Sequence, residues 1–259
     1  MTILVTGGTG TLGRPTVERL RAAGHDVRIL SRTPAPDRVI GDVTTGTGLA
    51  EAMHGVDTLL HLATSAGTKD VAQTRNVVDA ARAAGVTHLV FISIVGVDVN
   101  PYPYYRAKFE SEQLIERSGI PFTILRATQF HDFIALFLHL QRKLPFIVSL
   151  EVPDQPIAVD EVAARLVELV AAGPAGKVAD IGGPEQLPLR TLIDTWQAAH
   201  GTSKRVVTIR PWGRIIRSFR AGDHMTPLPG FGRESFAEFA AREAGQRRAA
   251  RDARKDGAK

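Results

Sequence analysis

The chain contains no cysteine, which removes disulfides, thiolate catalysis and zinc–sulfur sites together. It also lacks an apolar run long enough to cross a bilayer, because its most apolar segment, Phe130 to Leu140, is cut off by Gln141-Arg142-Lys143. With the first strand expected from Thr2, no length is left for a leader; the cytoplasm is the expected compartment, and no membrane partner is expected. The body of the chain has little excess of either charge. Net charge is +5, but Gln246 to Lys259 holds six basic residues against two acids and so carries +4 of it. No aromatics interleave with those cations. A solvated or frayed helical tail is therefore expected over 246–259, and no nucleic-acid partner.

What is present begins at the first residues. Ile3-Leu4-Val5-Thr6-Gly7-Gly8-Thr9-Gly10-Thr11-Leu12-Gly13 runs straight into Arg14-Pro15-Thr16-Val17, which reads as strand, glycine turn and helix. Gly7, Gly10 and Gly13 fall where a chain turns tightly and lets another molecule approach its backbone, and Pro15 suits a first helical turn. A helix starting here aims unpaired N–H groups and its positive dipole end into the turn, a site for a dinucleotide pyrophosphate; Thr9, Thr11 and Leu12 share that turn. A second strand, Asp26 to Leu30, completes the strand-helix-strand unit.

Where an acid for a ribose 2′-hydroxyl is expected, about twenty residues beyond the glycines, the chain has Ser31-Arg32. A hydroxyl and a guanidinium suit a 2′-phosphate, so NADP(H) is expected over NAD(H); the alternative is a surface arginine capping a strand. Asp42 and Val43 end a short third strand at Arg38 to Gly41. There they are placed to take the adenine amino group and ring, unless Asp42 simply forms a turn. A fourth strand, Val56 to Leu62, ends in Ala63 and Thr64, small residues for the middle of the cofactor; His61 reads as a packed or capping histidine.

A helix over Asp70 to Ala84, with Val71, Val77, Val78 and Ala81 inward, and an apolar strand over His88 to Ser93 continue the alternation. Strand and helix alternating with short links imply an α/β, Rossmann-like, doubly wound parallel sheet of about seven strands. Tyr104 and Lys108, four apart at the start of the next helix, share one face, and Ser93 leaves the neighbouring strand end. A phenol has a pKa of about 10, and a nearby ammonium is expected to lower it.

These residues give the chain its likeness. It resembles the atypical or extended short-chain dehydrogenase/reductases of the NmrA-like, NAD(P)H-binding branch, over most of residues 1 to 195. The likeness is carried by Thr6 to Gly13, Ser93, Tyr104-x-x-x-Lys108, Leu125-Arg126-Ala127-Thr128-Gln129-Phe130 and Val159-Asp160-Glu161-Val162-Ala163. It implies Tyr104 as the proton donor or acceptor at the substrate oxygen, with Tyr105 as its rival. Lys108 would bind the nicotinamide ribose and tune Tyr104, Ser93 would bond the reacting carbonyl, and Phe130 would cover the nicotinamide. An NADP(H)-dependent oxidoreductase acting on a small apolar carbonyl or activated alkene follows, as monomer or homodimer. Relatives that bind the dinucleotide without chemistry keep a sensor reading open, and an isomerase or epimerase is a third.

Residues 1–130 are expected to form the dinucleotide domain. Residues 131–245 would be a small substrate lobe, with a strand near 177–181 returning to the sheet. Within the lobe a helix over 130–140, a strand-like return over 153–159, a helix N-capped by Asp160, a helix over 189–200, a strand over 206–209 and a final helix over 234–244 are expected. Phe219, Met225, Leu228 and Phe231 would lie in a loop.

Overall fold

A computed structural model describes residues 1–227 and 230–256. Two compact units divide the chain: Met1–Ala127 with Val159–Ile181, and Thr128–Ala158 with Gly182 onward. In the first unit, β1 (Thr2–Thr6), α1 (Gly13–Ala22), β2 (Asp26–Ser31), β3 (Arg38–Ile40), α2 (Leu49–Met53), β4 (Thr58–His61), α3 (Lys69–Ala83), β5 (His88–Ile94), α4 (Pro103–Glu116) and β6 (Phe122–Ala127) follow one another. The chain then gives α5 (His131–Leu140), β7 (Phe146–Leu150) and β8 (Pro153–Asp154) to the second unit. It returns to the first for α6 (Val159–Ala172) and β9 (Gly176–Lys177).

The main sheet has the order β3-β2-β1-β4-β5-β6-β9, and all its pairings are parallel. Alternation along the strands sends Leu4, Leu59, Leu89 and Ile124 to one face, where Met53, Val77 and Ile115 of α2, α3 and α4 bury them. On the other face Val5 and Ile29 meet Val17 of α1 around Gly8, and α6 packs along α1. Burying both faces explains why these strands read as near-continuous apolar runs.

The second unit continues with β10 (Leu187–Pro188), α7 (Leu189–His200), β11 (Arg205–Ile209), α8 (Arg214–Ala221) and α9 (Phe236–Asp256). Its core joins Ile134 and Leu138 of α5, Ile147 of β7, Leu192 and Trp196 of α7, and Phe236 and Phe239 of α9. Among the described residues no helix is long and apolar enough to cross a membrane.

Several elements differ from the sequence reading. The segment returning to the sheet is the whole of Val159–Ile181, because α6 buries its apolar stripe in the first unit; its strand shrinks to Gly176–Lys177 plus a bridge from Ile181 to Ala127. Asp160 lies inside the first turn of α6 rather than capping it. The strand-like return is only Pro153–Asp154, while β7, not anticipated, pairs in parallel with β11 some sixty residues on. Phe219 sits in α8, a helix bounded by Gly213 and Gly222 where a loop was expected; Leu228 lies outside the described residues. The final helix opens on a capping box, in which Ser235 N–H donates to Glu238 Oε2 at 2.8 Å and Glu238 N–H to Ser235 Oγ at 3.2 Å. It runs on through Asp256, so residues 246–256 of the expected frayed tail are helical, while 257–259 lie outside the described residues.

Candidate dinucleotide site

The glycine turn leaves β1 where the strand order reverses, since β1 lies between β2 and β4. Gly7 has φ 72°, and a Cβ there would stand 2.7 Å from Ala63 N, at the exit of β4. At Gly13 a Cβ would lie 2.1 Å from Gly7 O, so only a hydrogen lets α1 start this close to the turn. Gly10 N–H closes the turn on Gly7 O at 2.9 Å, while Thr9, Gly10 and Thr11 are exposed and Leu12 is buried behind them. Bare, accessible backbone at the N-terminus of a ten-residue helix fits a pyrophosphate.

The residues expected at the adenosine end gather at the carboxyl ends of β2 and β3. Ser31 Oγ donates to Thr33 O at 2.9 Å and accepts from Thr33 N–H at 3.0 Å, so it shapes the loop from which exposed Arg32 projects. Asp42 accepts from Thr44 N–H at 2.8 Å, the turn-forming role held open for it, and Val43 packs against the apolar core. Two cations escaped the sequence reading. Arg14, whose Nε donates to Thr9 O at 2.9 Å, and Arg38 both line a cavity of about 350 Å³ bordered by Gly8 and Thr9. Arg38 Nε is buried without a hydrogen-bond partner, with the carboxylate of Asp37, which also lines the cavity, 3.8 Å away. The signal was available as an arginine directly after the third glycine.

At the exits of β4 and β5 lie the residues expected to do chemistry. Tyr104 O–H meets Thr64 Oγ1 at 3.2 Å; Thr64 in turn donates to Asp70 Oδ2 at 2.5 Å and accepts from Ala66 N–H at 2.9 Å. Because the single hydroxyl proton of Thr64 goes to the carboxylate, Tyr104 is the donor in its bond to Thr64. Asp70 also accepts from Ser65 N–H and Oγ, at 2.7 and 2.6 Å, and thereby fastens the loop after β4 to the first turn of α3. This carboxylate is 3% exposed and was read only as a helix start. Its signal was an acid in a first turn following Thr-Ser.

Lys108 does not tune Tyr104 in the expected way. Its Nζ donates to Ile92 O at 3.2 Å and stands 4.5 Å from the centre of the Phe91 ring. Burial lowers its pKa to about 8, against the pull of Asp70 and Glu112. Tyr104 is pushed up to about 12, first by burial, with the Thr64 bond opposing and the charge of Asp70 adding to the rise. Tyr104 therefore stays a phenol at neutral pH. Tyr105, the rival, is buried at 4% exposure and packs 6.3 Å from Tyr104 ring to ring. Ser93 is buried at the end of β5, paired in register with Arg126, and its hydroxyl has no hydrogen-bond partner. Such an orphan is a donor waiting for an acceptor.

His61 proves to be packed, as its sequence context suggested. Its ring joins Thr6 Oγ1 at 2.7 Å to Thr74 Oγ1 at 3.2 Å, and burial, followed by the charge of Lys108, lowers its pKa to about 3. In the second unit, Phe130 precedes α5 and bridges to Ile157. His131 is fully buried between Phe236 and Phe239, Nε2 meeting Glu234 O at 3.1 Å, and burial lowers it to about 4; it is a core histidine.

A doubly wound parallel sheet with a bare glycine turn at its switch point defines a Rossmann-type dinucleotide-binding protein. Residues 7–172 match the NAD(P)H-binding family, so the chain belongs to that family. Its relatives include oxidoreductases. It is 33% identical over 202 residues to the (4-alkanoyl-5-oxo-2,5-dihydrofuran-3-yl)methyl phosphate reductase of Streptomyces griseus, covering 73% of this chain and 70% of that one. With quinone oxidoreductase 2 of Escherichia coli it shares 31% identity over 135 residues, 48% of this chain and 47% of the other. The same fold is seen in the crystal structure of an NADPH-dependent quinone oxidoreductase from Escherichia coli. That structure has a TM-score of 0.78 at 20% identity over 93% of this chain and 99% of that one, and has also been solved in complex with NADPH.

Proposed function

We propose that the protein is an NADP(H)-dependent reductase of a carbonyl or activated double bond in a small, largely apolar substrate. The observation that carries this reading is the Tyr104–Thr64–Asp70 chain, a phenol held protonated at the strand edge that bears the glycine turn. Two relatives named as a reductase and a quinone oxidoreductase support it. Arg14 and Arg38 in the cavity and exposed Arg32 beside it supply cations for a 2′-phosphate, and they outweigh Glu18 and Asp37, which also border the cavity and of which Asp37 stands 3.8 Å from Arg38 Nε; this favours NADPH.

The bound dinucleotide would supply a hydride. The chain's own residues supply the rest. Bare backbone from Gly7 to Gly13 would hold the pyrophosphate, and Lys108 lies under the site as a buried cation. Tyr104, kept protonated by burial and by Asp70, donates its proton to the oxygen that gains negative charge, while Ser93 Oγ–H is the free donor to the same oxygen. Hydride and proton together convert a ketone to an alcohol. A phenol with raised pKa suits donation, so the reductive direction is favoured over oxidation.

The test is consumption of NADPH across quinones, enones and simple ketones by wild type and Tyr104→Phe. Turnover with the best substrate is expected to fall roughly a hundredfold or more in the variant. Equal nonzero rates would remove Tyr104 from the mechanism. A second reading, a dinucleotide-binding regulator without chemistry, is favoured by the burial of Ser93 at 2% exposure. Absence of turnover together with a partner protein released by NADP⁺ would establish it.

A further inference from the structure

The second unit contains a constellation that the dinucleotide site does not use. His139 of α5, His200 of α7 and Glu243 of α9 bring one ligand atom each within 4.8 Å of one another. His139 Nε2 is 2.8 Å from Glu243 Oε1, and His200 Nε2 is 2.9 Å from Glu243 Oε2. All three side chains are at least 85% buried, with exposures of 15%, 11% and 15%. His200 Nδ1–H donates to the backbone carbonyl of Trp196 at 2.9 Å, and its ring stacks on the Trp196 indole 4.0 Å away.

That bond settles which nitrogen of neutral His200 carries the proton. A carbonyl can only accept, so Nδ1 holds the hydrogen and Nε2 presents a lone pair. Nε2 is buried, has no hydrogen-bond partner, and faces a carboxylate oxygen. At 2.9 Å a cation belongs between them, a proton on Nε2 in the empty site or a metal ion that displaces it, as a metal would also displace the proton that His139 Nε2 shares with Glu243 Oε1. Metal-binding histidines commonly anchor the far ring nitrogen on a backbone carbonyl in this way. Two imidazoles and a carboxylate are a zinc donor set. Zinc–ligand bonds of about 2.0–2.1 Å place ligand atoms roughly 3.3 Å apart, so small side-chain movements suffice.

We infer that His139, His200 and Glu243 form a binding site for a divalent transition ion, zinc by preference, which ties α5, α7 and α9 together. Two other groups touch Glu243. Trp196 Nε1–H donates to Oε2 at 3.3 Å, and Arg247 pairs with Oε1 from the next turn of α9. Arg247 is 55% exposed and free to swing into solvent, so it competes with the metal as a replaceable cation.

The full-length protein, stripped with chelator, is titrated with Co²⁺ and then with Zn²⁺. One equivalent of Co²⁺ is expected to give the intense visible bands of tetrahedral coordination, displaced by Zn²⁺, with a zinc-dependent rise in thermal midpoint. His139→Gln and His200→Gln should each abolish the bands while circular dichroism reports an unchanged fold. Arg247→Ala, which removes the competing cation and no ligand, should tighten binding, and exposed His54→Ala should leave it unchanged. The inference is overturned by the absence of saturable Co²⁺ and Zn²⁺ binding, or by binding that survives both glutamine substitutions.

Discussion

Lys108 is the residue whose removal most sharply separates stability from function. The ammonium is 3% exposed and has a hydrogen bond to Ile92 O and the face of Phe91 for compensation. Burial lowers its pKa from 10.5 to about 8. At about 1.4 kcal/mol per pH unit, carrying the charge at pH 7 costs the folded state roughly 3 kcal/mol. Lys108→Met keeps the stem and removes the charge. Losing the bond and the ring contact returns roughly 1–2 kcal/mol of that, so the variant is expected to gain about 1.5 kcal/mol. Its thermal midpoint should rise by roughly 3–6 °C.

The sign with pH follows from the lowered folded pKa. The penalty is full below pH 8 and disappears as pH rises from 8 to 10.5, so by pH 9.5 the advantage of the variant should fall by about 2 kcal/mol, leaving it roughly 0.5 kcal/mol less stable than wild type there. Urea unfolding of both proteins at pH 7 and 9.5, with NADPH titration alongside, tests this. The expected pattern is a more stable protein that binds the cofactor more weakly. A variant less stable than wild type at pH 7, or a difference that does not change with pH, would refute the assignment of Lys108 as an ion buried for function.

Gly13→Ala should destroy cofactor binding and destabilise the fold, because its Cβ would stand 2.1 Å from Gly7 O; fluorescence titration and thermal unfolding report both. Glu112→Gln should cost roughly 2–4 kcal/mol, since the pair with Arg126 is bidentate at 2.9 and 2.7 Å, Glu112 is fully buried, and Arg126 would keep only the more exposed Asp98, at 3.0 Å, as its counter-charge. Urea midpoints for the variant measure that loss. Acid should destabilise the protein from pH 6.5 downward. The unfolded chain binds protons there that His61, lowered to about 3, and His131, lowered to about 4, refuse when folded. Asp154, raised by burial to about 6, works oppositely and offsets part of the loss, leaving roughly 3 kcal/mol between pH 7 and 4.5. A flat unfolding midpoint over that range would contradict the burial of both imidazoles. NADPH should bind more tightly than NADH, and Arg14→Ala and Arg38→Ala should narrow the difference; equal affinities in wild type would remove the phosphate reading.

The glycine turn was legible because its requirement is local: each glycine answers a clash or a left-handed backbone within a few residues or at the adjoining strand exit. Alternating apolar strands and helices were legible for a similar reason, since a sheet buried on both faces demands continuous apolar runs. The second unit was read less well. Its strands β7 and β11 pair across some sixty residues, and neither declares its partner. Arginine-rich α8 lies between Gly213 and Gly222 and so resembled a loop. Asp70 was missed because a carboxylate in a first helical turn looks like a cap until Thr64, Ser65 and Tyr104 are seen around it.

The order of residues by itself therefore determined the dinucleotide fold, the position of its phosphate turn and the candidates Ser93, Tyr104 and Lys108, because each depends on short-range spacing and apolar period. Only the tertiary structure decided what those candidates are electrically. Burial beside Asp70 keeps Tyr104 a phenol, burial over Phe91 weakens the base-stable charge of Lys108, and three helices distant in sequence bring His139, His200 and Glu243 to one point. Desolvation and the meeting of remote side chains are properties of packing, and packing is where the remaining chemistry of this protein is written.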